Sequence, residues 1–343
     1  MRVLLNGVGR IGKAILRIAQ LKDTFKIVAI NELNTNIKNI AYSINYDSTY
    51  GKIEDRYSVE NEEIVNRKNR IKIFNSKNIF DIDLKSNKID LIIDASGSII
   101  DLEYLRKNID IPVYLTHPNE DADINLILGV NEDKIDYQKD KIISTSSCNA
   151  TALLPILKLI DDNYTIEYGD IVTIHPLLNH QKTLDGACIG SKSRDIECNF
   201  EFGRSSTQNM IPSKTTTIDA CSYVLPLINH TMISSSSIRV PTATVGVINV
   251  TLTVKKDCNK DILIELFKIY ETEQKYNILL NNTCPLVSSD FQGEECTSII
   301  DHRFTDVKRD KQIKLVIWYD NEWGYASKVV DIVSQHKLET KFK

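Results

Sequence analysis

Apolar residues along the first 147 positions fall into short clusters separated by stretches of helical spacing. Val3-Leu4-Leu5 is short and unbroken, which predicts a buried strand, and Ile11, Ile15, Ile18 and Ala19 follow at intervals that line one face of a helix. Ile27 to Ile30 predicts a second strand; Asp90 to Asp94, Ile111 to Leu115, Ile124 to Val130 and Ile142-Ile143 predict later ones. Strands that alternate with helices imply a mostly parallel sheet covered by helices.

Beyond Cys148 the pattern changes. Leu153 to Ile160 has helical spacing, with Pro155 near its start, and Ile171 to Ile174 predicts a strand. A polar stretch runs from Asn179 to Asn209. Within Val245 to Val254, Ile248, Val250 and Leu252 alternate with Asn249, Thr251 and Thr253, as in a strand of an antiparallel sheet with one wet face. Lys314 to Trp318 predicts another strand, and Ala326 to Gln335 a last helix that returns to the first domain. The expected organisation is one α/β domain from residues 1–147 plus 315–343, and a second α+β domain, 148–314, with a mixed, largely antiparallel sheet.

At 343 residues the chain is long enough for two cores, and 42% hydrophobic with 26% charged residues is ordinary for a globular protein. A net charge of −4 gives no general attraction to nucleic acid or to an anionic membrane. No apolar run reaches the roughly 18 residues of a membrane span, and the first residues lack a signal-peptide pattern, so the expected location is the cytoplasm. Seven cysteines without a C-x-x-C pair argue against a disulfide framework or a zinc knuckle, and no metal is expected.

Two segments carry chemistry. Gly7, Gly9 and Gly12 have the G-x-G-x-x-G spacing directly after the first strand and open onto the first helix. In that arrangement one glycine turns the chain, one admits a pyrophosphate and one lets helix and strand pack closely. Glu32, about 20 residues beyond and after the second strand, can accept from both ribose hydroxyls and would repel a ribose phosphate. The segment therefore reads as a Rossmann-type, doubly wound dinucleotide site that favours NAD over NADP. In Ser144-Thr145-Ser146-Ser147-Cys148-Asn149-Ala150, Cys148 lies between an apolar strand and the mouth of an apolar helix, where backbone N–H groups stabilise a thiolate and lower its pKa. That makes it a candidate nucleophile. Among six histidines, His175 ends a strand before Pro176, at a strand tip of the kind that faces a ligand crevice. His180, five residues on, is its rival.

The segments GVGRIG, NEL, DASG, LGVN, STSSCNAT, TIHPLLNHQKTLDG, QNMIP, RVPT, VSSDF and WYDNEWGY resemble those of the glyceraldehyde-3-phosphate dehydrogenases over nearly the whole chain. The resemblance implies that Cys148 attacks an aldehyde, that His175 is its base, that hydride passes to NAD and that inorganic phosphate cleaves the thioester left on the sulfur. It implies that Asn321 orients the nicotinamide, that the backbone of Arg10 and Ile11 lies along the pyrophosphate, that Ser96 and Thr116 line the cofactor, and that Ser147, Asn149, Thr215 and Arg239 hold substrate or phosphate. A homotetramer is implied as well.

The chain also departs from the family. Threonines common directly after the nucleophile and three residues after the histidine are here Asn149 and Leu178; asparagine still donates a hydrogen bond, whereas leucine cannot. The segment Asp185 to Asn209 is several residues longer than usual, and Ala187 replaces a common proline. Asn31-Glu32-Leu33 and Leu178 are more like the relatives that oxidise erythrose 4-phosphate and release the acid by hydrolysis, which is the competing reading. A protein that keeps NAD but has lost turnover is the third. The plan is also shared by aspartate-semialdehyde dehydrogenases, whose motifs do not match WYDNEWGY.

Overall fold

The computed structural model describes residues 1–33, 36–98, 101–188 and 200–341. The chain divides into two units, one of Met1–Leu126, Asp133–Ser146 and Ala326–Lys343, the other of Ile127–Glu132 and Ser147–Tyr325. The divisions thus fall at Ser146/Ser147 and Tyr325/Ala326, not at 147/148 and 314/315. The strand Gln312–Tyr319, expected to go with the first domain, pairs along its whole length with Gly246–Val254 of the second.

In the first unit Arg2–Asn6 is the centre of a nine-stranded sheet. Lys26–Asn31 pairs parallel on one side of it and Leu91–Asp94 on the other. The chain order reverses at this point, and in such sheets the crevice outside the strand ends is where ligands bind. The sheet continues parallel through Val113–Leu115, Ile142–Ser144 and Ile124–Asn125 on one flank. On the other it runs through Arg70–Phe74 into an antiparallel edge of Glu63–Val65 and Ser58–Glu60. The predicted strand 124–130 stops early, because Gly129 takes a φ of 82° and the Asn131 side chain accepts the Ile127 N–H. Leu126, Ile127 and Leu128 are apolar because they are buried, not because they are extended.

Helix Arg10–Lys22 buries Ala14, Ile15, Leu16, Ile18 and Ala19. The later turns of Trp323–Lys341 are tied to the same unit by Lys22 to Asp331 at 2.8 Å and by the Tyr114 hydroxyl to His336 at 2.9 Å. Three strand tips are laced together: Asn31 donates to Asn6 at 2.8 Å, and Asn6 donates to Asp94 at 2.6 Å. These buried hydrogen bonds link neighbouring strand tips, while Asp94 Oδ2 has no hydrogen-bond partner among the described residues.

In the second unit an eight-stranded mixed sheet runs in the order Ile211–Ser213, Ile233–Arg239, Ile166–His175, Gly246–Val254, Gln312–Tyr319, Ser298–Asp301, Leu279–Asn282, with Asp306–Lys308 beside Gln312–Tyr319. Gly246–Val254 alternates buried and half-buried positions along its whole length, as its sequence predicts. Its inner face, with Ile171, Leu315 and Ile317, packs on helix Cys148–Tyr164, whose Ala150, Leu153, Leu154, Ile156, Leu157 and Ile160 are fully buried. Among the described residues no helix is long and apolar enough to cross a membrane, and no cluster of three or more His, Cys, Asp or Glu is suited to hold a metal.

The closest backbone approach is at Gly12, where a Cβ would lie 2.1 Å from the Gly7 carbonyl oxygen. Gly12→Ala is expected to destabilise the protein by about 1–3 kcal/mol, seen as a lower urea midpoint and loss of NAD binding; an unchanged midpoint would contradict this packing.

Candidate active site

The loop between Asn6 and Arg10 builds the first unit's site. Gly7 has a φ of 90°, which turns the chain back, and Gly9 caps the helix with no atom within 4 Å of where its side chain would be. The first helical turn, starting at Arg10 and Ile11, contains no acidic residue, so its positive end is open to an anion. The Arg10 guanidinium itself is committed to Asp47 at 2.6 Å. From the tip of the next strand Glu32 braces the loop, accepting the Val8 N–H at 2.7 Å and the Leu33 N–H at 3.0 Å. Each carboxylate oxygen has a further lone pair for a ribose hydroxyl. Thr116 donates to the Asp94 carbonyl at 2.9 Å, and Ser96 accepts the Ser98 N–H at 3.2 Å, both just beyond strand ends. An open glycine, a bare helix start and a braced carboxylate fit a dinucleotide.

The second unit holds the thiol. Ser146 takes a φ of 60°, uncommon for a residue with a side chain, and Ser147 then caps the helix by accepting the Ala150 N–H at 3.2 Å. Cys148 is therefore the first helical residue. Its Sγ lies 3.9 Å from His175 Nε2. The other ring nitrogen is 2.9 Å from the Pro176 carbonyl, which can only accept, so Nδ1 carries the proton and Nε2 presents a lone pair to the sulfur. His175 is buried at the end of Ile166–His175. His180 is not part of this pair; its ring packs edge-on against Phe202.

The electrostatic balance differs from the expected lowered thiol pKa. Burial pushes the Cys148 thiol up to about 11, outweighing Arg239 and the helix N–H groups that pull it down. Burial, then Arg239, pushes His175 down to about 3. At rest the pair is neutral thiol and neutral imidazole. The expectation failed because the helix end acts through one turn, whereas desolvation is set by the whole surrounding fold.

Arg239 lies beside His175 in register on the neighbouring strand. Its Nε and Nη1 are buried and without a hydrogen-bond partner among the described residues. Burying such a cation without a counter-charge is costly, which makes it a receptor for an anion. Thr215 and Ser147 are both half-buried. Asn149, expected to donate to phosphate, is buried: its Oδ1 accepts from the Tyr319 hydroxyl at 2.6 Å and its Nδ2 donates to Thr217 at 3.1 Å. Leu178 donates its backbone N–H to Gln181 at 2.7 Å. Asn321 Oδ1 accepts the Val245 N–H at 3.1 Å and the Thr244 hydroxyl at 3.2 Å, leaving its amide nitrogen as the group that donates. Val245 is β-branched yet has a φ of 66°, a strained conformation that aims its N–H at this amide.

Residues 189–199 of the extended segment lie outside the described residues. Its two ends are pinned together by Gly186 to Gly203 at 2.8 Å and Ser205 to Asp185 at 2.7 Å. Sequence reasoning missed Tyr319, Thr217 and Val245. Tyr319 stands inside WYDNEWGY and was the most accessible signal; a threonine run and a valine before a strand carry none.

A dinucleotide-type unit, and a unit with a thiol–imidazole pair and a guanidinium whose Nε and Nη1 lack partners among the described residues, fit a nicotinamide-dependent oxidoreductase. Residues 1–102 match the model of the glyceraldehyde 3-phosphate dehydrogenase NAD-binding domain, and residues 147–321 match its C-terminal domain. The chain belongs to the glyceraldehyde-3-phosphate dehydrogenase family. It is 34% identical over 336 residues to glyceraldehyde-3-phosphate dehydrogenase of Eremothecium gossypii, covering 97% of this chain and 98% of the relative. It is 30% identical over 336 residues to glyceraldehyde-3-phosphate dehydrogenase 2 of Bacillus subtilis, covering 97% and 96%. With that of Salmonella typhimurium it shares 32% over 337 residues, covering 97% and 98%.

Because the thiol is raised rather than lowered, alkylation of Cys148 by iodoacetamide in the cofactor-free protein is expected to keep accelerating above pH 9, toward about 11. Arg239 lowers the thiol pKa, so Arg239→Met should move the curve to still higher pH. A rate that levels off below pH 8 would show a resting thiolate instead.

Proposed function

We propose that this chain catalyses the NAD-dependent, phosphorylating oxidation of glyceraldehyde 3-phosphate to 1,3-bisphosphoglycerate. The observation that carries the reading is the Cys148 Sγ to His175 Nε2 approach of 3.9 Å, with the imidazole tautomer set by Pro176. Cys148 Sγ adds to the aldehyde carbon while its proton leaves to Nε2, so charge appears on both partners together. The backbone N–H of Cys148, at the helix start, and the protonated His175 ring face the oxyanion, which takes a proton to give the hemithioacetal. His175 then removes the hydroxyl proton as the hydride departs, leaving a thioester on Cys148. NAD, when bound, supplies the hydride acceptor, and Gly7, Gly9, Arg10, Ile11, Gly12, Glu32, Ser96, Thr116 and Asn321 are the residues we assign to it.

Inorganic phosphate, held by Arg239, Thr215 and Ser147, attacks the thioester carbon. The C–S bond breaks, and the imidazolium returns its proton to the sulfur. Loss of a hydroxyl at Leu178 removes one neutral donor, but the charge-assisted contact from Arg239 is the stronger. The family resemblance extends this reading to a homotetramer acting in the cytoplasm.

The competing reading, oxidation of erythrose 4-phosphate with hydrolysis, draws on Glu32 and Leu178. The two separate by measuring NADH formation from each aldehyde with and without phosphate. Expected is steady turnover of glyceraldehyde 3-phosphate only with phosphate present and a single burst per site without it; phosphate-indifferent turnover would favour the rival. His175→Asn should slow NADH formation by about a hundred- to ten-thousandfold, and a smaller loss would remove His175 from the role of base.

A further inference from the structure

Thr215 ends a continuous run of side-chain hydrogen bonds that starts in the sheet. Tyr319 Oη lies 2.6 Å from Asn149 Oδ1, Asn149 Nδ2 lies 3.1 Å from Thr217 Oγ1, and Thr217 Oγ1 lies 2.7 Å from Thr215 Oγ1. The Thr217 backbone N–H also donates to Thr215 Oγ1, at 3.2 Å.

We propose that Tyr319, Asn149 and Thr217 are positioning residues that force the Thr215 hydroxyl hydrogen outward, making Thr215 an obligate donor to an inorganic phosphate. The proposal rests on the reading of Thr215 as a phosphate-binding group.

The direction of the chain follows from its first member. Tyr319 is 1% exposed, and Asn149 is its one hydrogen-bond partner among the described residues. A buried hydroxyl hydrogen without an acceptor is avoided in folded proteins, so the phenol donates and the atom facing it must be the amide oxygen. The amide NH₂ then faces Thr217 and can only donate to it. Thr217 Oγ1 has accepted; it is 2% exposed, and among the described residues Thr215 Oγ1 is the one acceptor within reach of its own buried hydrogen, which therefore goes there. Thr215 Oγ1 now accepts from the Thr217 hydroxyl and from the Thr217 backbone N–H. Its acceptor capacity is filled. The hydrogen that is left points away from the chain, toward whatever Thr215 meets.

The reverse direction would present a lone pair to the anion and repel it. Reversal at Thr217 alone would strand its buried hydroxyl hydrogen, and reversal of the whole run would require rotating the Asn149 amide, setting an NH₂ against the phenol and stranding the phenolic hydrogen. The phenol is itself held in place: a Cβ on Gly246 would come within 2.6 Å of Tyr319 Oη. An asparagine after the nucleophile thus serves the phosphate through Thr217 and Thr215 rather than by touching it. The chain spans residues far apart in sequence, with Tyr319 and Asn149 separated by 170 positions and Asn149 and Thr217 by 68.

The test is Thr217→Val, which keeps the shape and removes the one oxygen both neighbours use. Two quantities are read: the dissociation constant of inorganic phosphate by calorimetry on the NAD-loaded protein, and the burst of NADH from glyceraldehyde 3-phosphate without phosphate. Expected is phosphate binding weakened about fivefold or more, as for loss of one net hydrogen bond, with a burst rate within about twofold of the parent. Tyr319→Phe, which removes the hydrogen that sets the direction, should weaken phosphate similarly and stands in if the first variant does not fold. Unchanged phosphate binding in the variants overturns the chain and leaves phosphorolysis standing. A burst that falls in step with phosphate affinity overturns it too, showing a general loss of structure. Phosphate binding that weakens as expected in a protein whose turnover ignores phosphate would keep the chain and remove phosphorolysis.

Discussion

Helix Cys148–Tyr164 pressed into the mixed sheet of the second unit is the contact on which the site depends. Its Leu153, Leu154, Ile156, Leu157 and Ile160 are fully buried against Ile171, Val250, Leu315 and Ile317. Truncating any one of these leucines or isoleucines costs about 2–5 kcal/mol, a large share of a typical domain's stability. That packing fixes the helix in depth and rotation, and so fixes its first residue. The strained turn at Ser146 and the Ser147 cap are local adjustments that the buried helix over-determines. The sulfur is placed by the core beneath it, not by the loop that precedes it.

The same burial sets the chemistry. A thiol pushed up to about 11 and an imidazole pushed down to about 3 are both in their neutral forms at physiological pH, so the resting site stores no ion pair. Arg239 belongs to this balance: its charge lowers both groups, favouring thiolate but opposing imidazolium. An anion held by Arg239 would relieve the imidazole and cost the thiolate some support. On the proposed reading, an anion at Arg239 acts on the proton inventory of the site as well as on its geometry. Among the described residues the buried Nε and Nη1 of Arg239 have no hydrogen-bond partner, and a permanent structural counter-ion there would remove such a response.

Much of the frame was legible in the chain. The strand, glycine loop and first helix are consecutive, so spacing alone specifies their packing, and the alternation of Ile248, Val250 and Leu252 reads directly onto the buried face of its strand. Other elements left little trace. The edge strands Ser58–Glu60 and Glu63–Val65 are three residues each, too short for a periodicity, and helix Lys260–Glu273 buries only Leu263 and Phe267 fully. The apolar run 124–130 misleads because a strand and a buried turn look alike until the backbone of Gly129 is known. In the site, Cys148 and His175 were visible because strand ends and helix starts are local signals. The sign of the thiol shift and the partners of Asn149 were not, since both are set by residues from distant parts of the chain.

Replacing the two threonines of the family pattern by Asn149 and Leu178 therefore has unequal consequences. At Leu178 the polar function passes to the backbone, whose N–H is already satisfied by Gln181, and the side chain offers an anion nothing. At Asn149 a side chain with both a donor and an acceptor enters a space where each finds a buried partner. A hydroxyl there would accept and donate from one freely rotating oxygen. An amide separates the two roles onto different atoms, so they exchange only if the whole group turns over. On the proposed reading, the second unit exchanges a direct polar contact for a longer one through Thr217 and Thr215, and the charge comes from Arg239.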